Sequence, residues 1–85
     1  MTDTIRLREL IDSRGLKLKW IAEQMDLTPY GLAKKISNEN EFRASEIQKL
    51  CDLLGVSDAN EKERLFFAQK GDLKSPKNED GGVLA

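Results

Sequence analysis

LKWIAEQMDLTPYGLAKKIS, Leu18 to Ser37, holds two short apolar periodicities separated by a tight break. In its first half Leu18, Ile21, Ala22 and Met25 fall at i, i+3, i+4 and i+7, which places them on one face of a helix. Met25-Asp26-Leu27 ends that face. Thr28 can then cap a second helix with its hydroxyl, and Pro29 suits the first helical position, where an N–H would have no partner. Leu32 and Ile36, four residues apart, give this second helix a narrow apolar stripe. Tyr30, Gly31, Ala33, Lys34 and Ser37 are left to face outward.

The same periodicity extends in both directions. Upstream, a helix is predicted over Thr4 to Arg14, with Leu7, Leu10 and Ile11 inward and a stop at Gly15, a natural left-handed cap. Downstream, Ser45-x-x-Gln48 reads as a capping box that opens a helix near Ser45. Its apolar face is Ile47, Leu50, Cys51 and Leu54, and it ends at Gly55. A fifth helix is expected from Ser57 or Asp58, with Glu61 three residues after Asp58, through Phe67 to about Lys70. Beyond Gly71 both periodicity and apolar content fall away. The expectation is one all-α, five-helix domain over 1–70 and a disordered tail over 71–85, without internal repeats.

The central segment resembles the helix-turn-helix of the Cro and lambda-repressor-like (XRE-type) family in its small, phage-type form. The matching features are Ala22 in the middle of the first motif helix, the aliphatics around it, and Met25 and Leu27. Thr28 stands where a Ser or Thr opens the recognition helix, Leu32 at its buried position, and Asn38 where members often carry Asn-Gly. The run from Glu41 to Val56, EFRASEIQKLCDLLGV, resembles the helix that follows, so the likeness covers about residues 4 to 57. It implies a lambda-repressor-like fold that places the third helix in the major groove of double-stranded DNA.

Two positions depart from the family pattern. Asp26 replaces the usual turn glycine, although Asp tolerates the left-handed conformation better than most residues. Leu18 replaces a Gln that braces the recognition helix and touches phosphate. That contact does not carry over, and Lys17 or Lys19 are the candidates to supply it.

Composition bounds the alternatives. At 85 residues the chain can bury only one small core. Its single cysteine, Cys51, lies on an apolar face and reads as a core residue, so no internal disulfide can form. With one Cys and no His, zinc sites and histidine acid–base chemistry are excluded, and no Gly-rich phosphate loop or nucleophile–base pair suggests an enzyme. No cofactor and no small-molecule ligand is expected. The start of the sequence lacks a signal-peptide pattern, and no apolar run reaches about 18 residues. A cytoplasmic protein, bacterial or phage-encoded, is the expectation.

A net charge of −1 and a pI near 5.4 are not the signature of a nucleic-acid binder. Residues 1–50, however, carry nine basic and eight acidic side chains, so acidity is concentrated beyond position 50. A local basic face is what phosphate binding requires.

The candidate DNA contacts are Lys17, Lys19, Thr28, Pro29, Tyr30, Gly31, Lys34, Lys35, Ser37 and Asn38. Each has a plainer alternative. Thr28-Pro29 starts a helix in any case, and its N-terminus also suits a phosphate. Lys34, one turn after Tyr30, is the better base reader because Lys can donate to guanine acceptors. Lys35 suits the phosphate backbone, although paired lysines are usually solvated. Gly31 either permits close approach to the groove or is a tolerated weak helix residue. Asn38 takes its phosphate role from the resemblance alone. Trp20 lies off the main stripe and reads as packed on the first helix or Leu16. Among Leu65, Phe66 and Phe67, adjacent rings cannot share one helix face, and an exposed aromatic there would suit a homodimer seam.

The sequence thus supports a DNA-binding transcriptional regulator acting as a homodimer, with no membrane partner. The competing class is a protein-interaction module on the same scaffold, antirepressor- or antitoxin-like.

Overall fold

The computed structural model describes residues 1–69, so the tail over 71–85 and the expected end of the last helix at Lys70 lie outside the described residues. Among the described residues there are five helices and no strands: α1 (Thr4–Ser13), α2 (Leu18–Gln24), α3 (Pro29–Ile36), α4 (Ala44–Leu54) and α5 (Ala59–Phe66).

Four of the helices end in the same way. Gly15, Asp26, Asn38 and Gly55 have φ of 70, 57, 70 and 74°. After each, the chain folds back onto the last turn: Leu16 N–H donates to Ile11 O, Leu27 to Ala22, Glu39 to Lys34 and Val56 to Cys51, at 3.3, 2.8, 2.9 and 2.9 Å. This left-handed cap satisfies carbonyls that would otherwise lack partners. Its usual apolar partner is present at three of the four ends, where Leu16 and Leu27 pack against the core and Val56 is buried; at the end of α3 the position is the exposed Glu39. Glycine supplies the left-handed residue at the outer two ends. Asp26 and Asn38, the non-glycine residues that best tolerate that conformation, supply it on either side of α3.

The core takes Leu7 and Ile11 from α1, Ile21 and Ala22 from α2, and Leu32 and Ile36 from α3. Leu50, Cys51 and Leu54 of α4 and Leu65 and Phe66 of α5 complete it, with the Phe66 ring meeting Phe42 edge-on at 5.5 Å. Full burial of each large aliphatic is worth about 1.5–3 kcal/mol. Cys51 is completely buried, as its apolar face predicts, and burial pushes its thiol up from the ordinary value. Trp20 is 41% exposed and stands outside this core.

Two element boundaries differ from the sequence expectation. α4 opens one residue earlier, at Ala44, and Ser45 is not its cap. Instead the Glu46 carboxylate accepts the Arg43 N–H at 2.8 Å. Phe42 and Ile47, both packed against the core, flank this start at the spacing of a hydrophobic staple. α5 ends at Phe66: Phe67 caps it, its N–H still bonded to Glu63 O, and Ala68 exchanges backbone bonds with Met1.

Candidate nucleic-acid interface

α3 is a two-turn helix seated on the molecule by Leu32 and Ile36, both fully buried and four residues apart. Its packing partner is α2, and the tight Met25–Leu27 turn sets the angle between them. The opposite side of α3 is left to solvent, beginning at its N-terminus. Thr28 there accepts the Gly31 N–H on its hydroxyl at 2.9 Å, and Pro29 follows at the first helical position. Thr28, Pro29 and Tyr30 are exposed, Tyr30 by 73%.

Gly31 has a local cause that the sequence did not reveal. A Cβ at this position would stand 3.1 Å from the Thr28 hydroxyl, so the glycine leaves room for the cap. One turn on, the Lys34 ammonium lies 5.1 Å from the centre of the Tyr30 ring, a cation–π distance that aligns the two side chains along the outer face.

The other candidates divide. Lys17 and Lys19 are exposed where α2 opens, and neither takes part in an ion pair among the described residues. Lys35 is turned inward. Its ammonium meets the Glu46 carboxylate at 2.8 Å and the Glu41 carbonyl at 3.2 Å, and both side chains of the ion pair are about 15% exposed (14% and 15%). Burial pushes the Glu46 carboxyl up, but the Arg43 N–H and the bond and charge of Lys35 outweigh it and hold the group below 4.5. Lys35 therefore joins α3 to the start of α4, and its charge is spent inside the molecule.

Ser37 is exposed but engaged locally, its one hydroxyl proton shared between Lys34 O and Glu39 Oε2, both at 3.1 Å. Asn38 is also engaged. Its Oδ1 accepts the Thr2 N–H and its Nδ2 donates to Thr2 O, each at 2.8 Å. Of the expected dimer residues, Leu65 and Phe66 are core, and only Phe67 is available at the surface, 58% exposed.

Sequence reasoning missed the acidic partner of Lys35 and the role of residues 1–4. Glu46 carried a signal, because it stands three residues after Arg43 and behind the Phe42/Ile47 pair. The Thr2–Asn38 pairing spans 36 residues and had no local signal.

Among the described residues no group of His, Cys, Asp or Glu could hold a metal ion, and no helix is long and apolar enough to cross a membrane. Comparison with curated proteins and with solved structures finds no match. A family model described as the Cro/C1-type HTH DNA-binding domain matches residues 6–58, from α1 to the N-cap of α5. The match covers more than half of the chain and contains the exposed helix together with the turn that sets it, so the chain belongs to the Cro/C1-type helix-turn-helix DNA-binding family.

Proposed function

We propose that the protein is a sequence-specific regulator of transcription that lays α3 in the major groove of an operator. The observation that carries this is the paired Tyr30 and Lys34 on the outer face of a helix whose inner face is fully buried. Lys34 donates to guanine acceptors, and Tyr30 holds its ammonium and adds contact with the bases or backbone. The exposed N-terminus of α3, capped by Thr28, receives a phosphate, and Lys17 and Lys19 neutralise neighbouring ones. Lacking any expected ligand, the protein acts by occupancy, as a repressor of the small phage type. It does so as a homodimer joined near Phe67, so that two copies of α3 reach half-sites one DNA turn apart.

Selection from a random duplex library at two salt concentrations tests this. A palindromic consensus whose binding weakens steeply with salt is the expected result. Binding without an enriched motif sinks it.

The rival reading, a protein-interaction module, is favoured by the acidic pI of 5.4 and by the internal use of Lys35. Failure of the selection would move the scaffold to that class.

A further inference from the structure

Residues 1–4 do not extend away from the domain. Thr2 and Asp3 are its buried polar residues, 5% and 1% exposed, and the segment lies between the C-terminal ends of two helices. On one side Asp3 N–H donates to Leu65 O at 2.8 Å, Ala68 N–H to Met1 O at 2.9 Å, and the Met1 nitrogen to Ala68 O at 3.0 Å. On the other side the Thr4 hydroxyl donates to Ile36 O at 2.6 Å, and Asn38 takes both backbone groups of Thr2. The last carbonyls of a helix need such partners. Here one segment supplies them to α3 and α5 together.

Asn38 meets two demands at once. Its φ of 70° closes α3, and its side-chain amide is matched to the backbone of Thr2 in both directions. We propose that residues 1–4 and Asn38 form a positioning strap for the DNA-reading helix. Asn38 thereby serves recognition through Thr2, by fixing the C-terminal end of α3, and not as a ligand of phosphate. The inference rests on the DNA-reading function proposed above. It adds that discrimination depends on residues at the far end of α3 from its capped N-terminus, and that displacement of the α5 end is felt at α3.

The test uses the full chain and two variants, each assayed well below its melting temperature so that the folded fraction is equal. Asn38→Gly keeps the left-handed backbone and removes the amide. Thr4→Val keeps the shape and removes the hydroxyl. Affinity is measured across a salt series for the duplex that the wild type enriches and for a random duplex. Each variant should lose affinity on the enriched duplex, by at most about fivefold, the full worth of a hydrogen bond, with less loss on random DNA and an unchanged salt slope.

An equal loss on the enriched and the random duplex for Asn38→Gly, with Thr4→Val like the wild type, would make Asn38 a phosphate ligand and overturn the proposal, because a phosphate contact carries no sequence information. Wild-type discrimination in both variants would reduce the strap to a stabilising device and overturn it equally. Should Asn38→Gly fail to fold, the isosteric Thr4→Val carries the same comparison. A wild type that enriches no duplex is a different failure, because it removes the DNA-reading function itself and the strap's part in it.

Discussion

Thr28 and Gly31 show how closely two residues can be tied. The hydroxyl that caps α3 occupies space that any side chain at position 31 would need, at 3.1 Å from its Cβ. Loss of the cap in Thr28→Ala should destabilise the domain by about 1 kcal/mol. Gly31→Ala gains up to about 1 kcal/mol of helix propensity, but in the wild type it crowds the hydroxyl. Its gain should therefore be larger in a Thr28→Ala background, which a double-mutant cycle by thermal melting measures. Equal gains in both backgrounds would mean that the cap and the glycine are independent. On the same helix, Lys34→Ala should flatten base preference in a duplex selection and change the stability by no more than about 0.5 kcal/mol, as surface changes usually do. An unaltered consensus would show that Lys34 reads no base.

Between elements, Lys35 and Glu46 fasten α3 to the start of α4. The folded Glu46 carboxyl titrates below its ordinary 4.5, so its stabilising contribution is present above that value and is lost as pH falls through the lower folded value. Lys35→Met should accordingly melt lower than the wild type at neutral pH, and the gap should close as acidification protonates the folded Glu46 carboxyl. A gap that does not change with pH would mean that the ion pair contributes little. The same variant should keep the wild-type salt slope for DNA, since the Lys35 ammonium is already held by Glu46 and the Glu41 carbonyl. The helices themselves were legible because period, caps and breakers are local signals. α1 through α4 follow from them within a residue or so. The spacing from Tyr30 singled out Lys34 as the base reader, but that Lys35 pairs with Glu46 rather than facing phosphate was not legible, because the partner lies on another helix. Asn38 was ambiguous for the same reason, its partner lying 36 residues away.

At the scale of the whole molecule, Phe67 joins Trp20 and Tyr30 as an aromatic that the core leaves at the surface. Phe67 stands at the edge of a groove of about 410 Å³ whose walls include Met1, Phe42, Ile47 and Phe66. If the proposed homodimer forms there, Phe67→Ser should shift the sedimentation coefficient to that of a monomer and reduce affinity for a palindromic duplex more than for a single half-site. A variant that sediments like the wild type would place any seam elsewhere. Since Leu65 and Phe66 lie within the fold, substituting them would unfold the chain and say nothing about assembly.

The complete burial of Cys51 has a practical consequence. The chain carries one thiol, and no reagent reaches it unless α4 comes away from its neighbours. The rate of thiol modification thus counts large-scale opening events, from within the native population and without denaturant. A duplex that binds the closed form alone should slow that count in proportion to its saturation. Bystander DNA at equal concentration should leave it unchanged. A single sulfur atom would then report, in one tube, both how often the domain opens and which sequence keeps it shut.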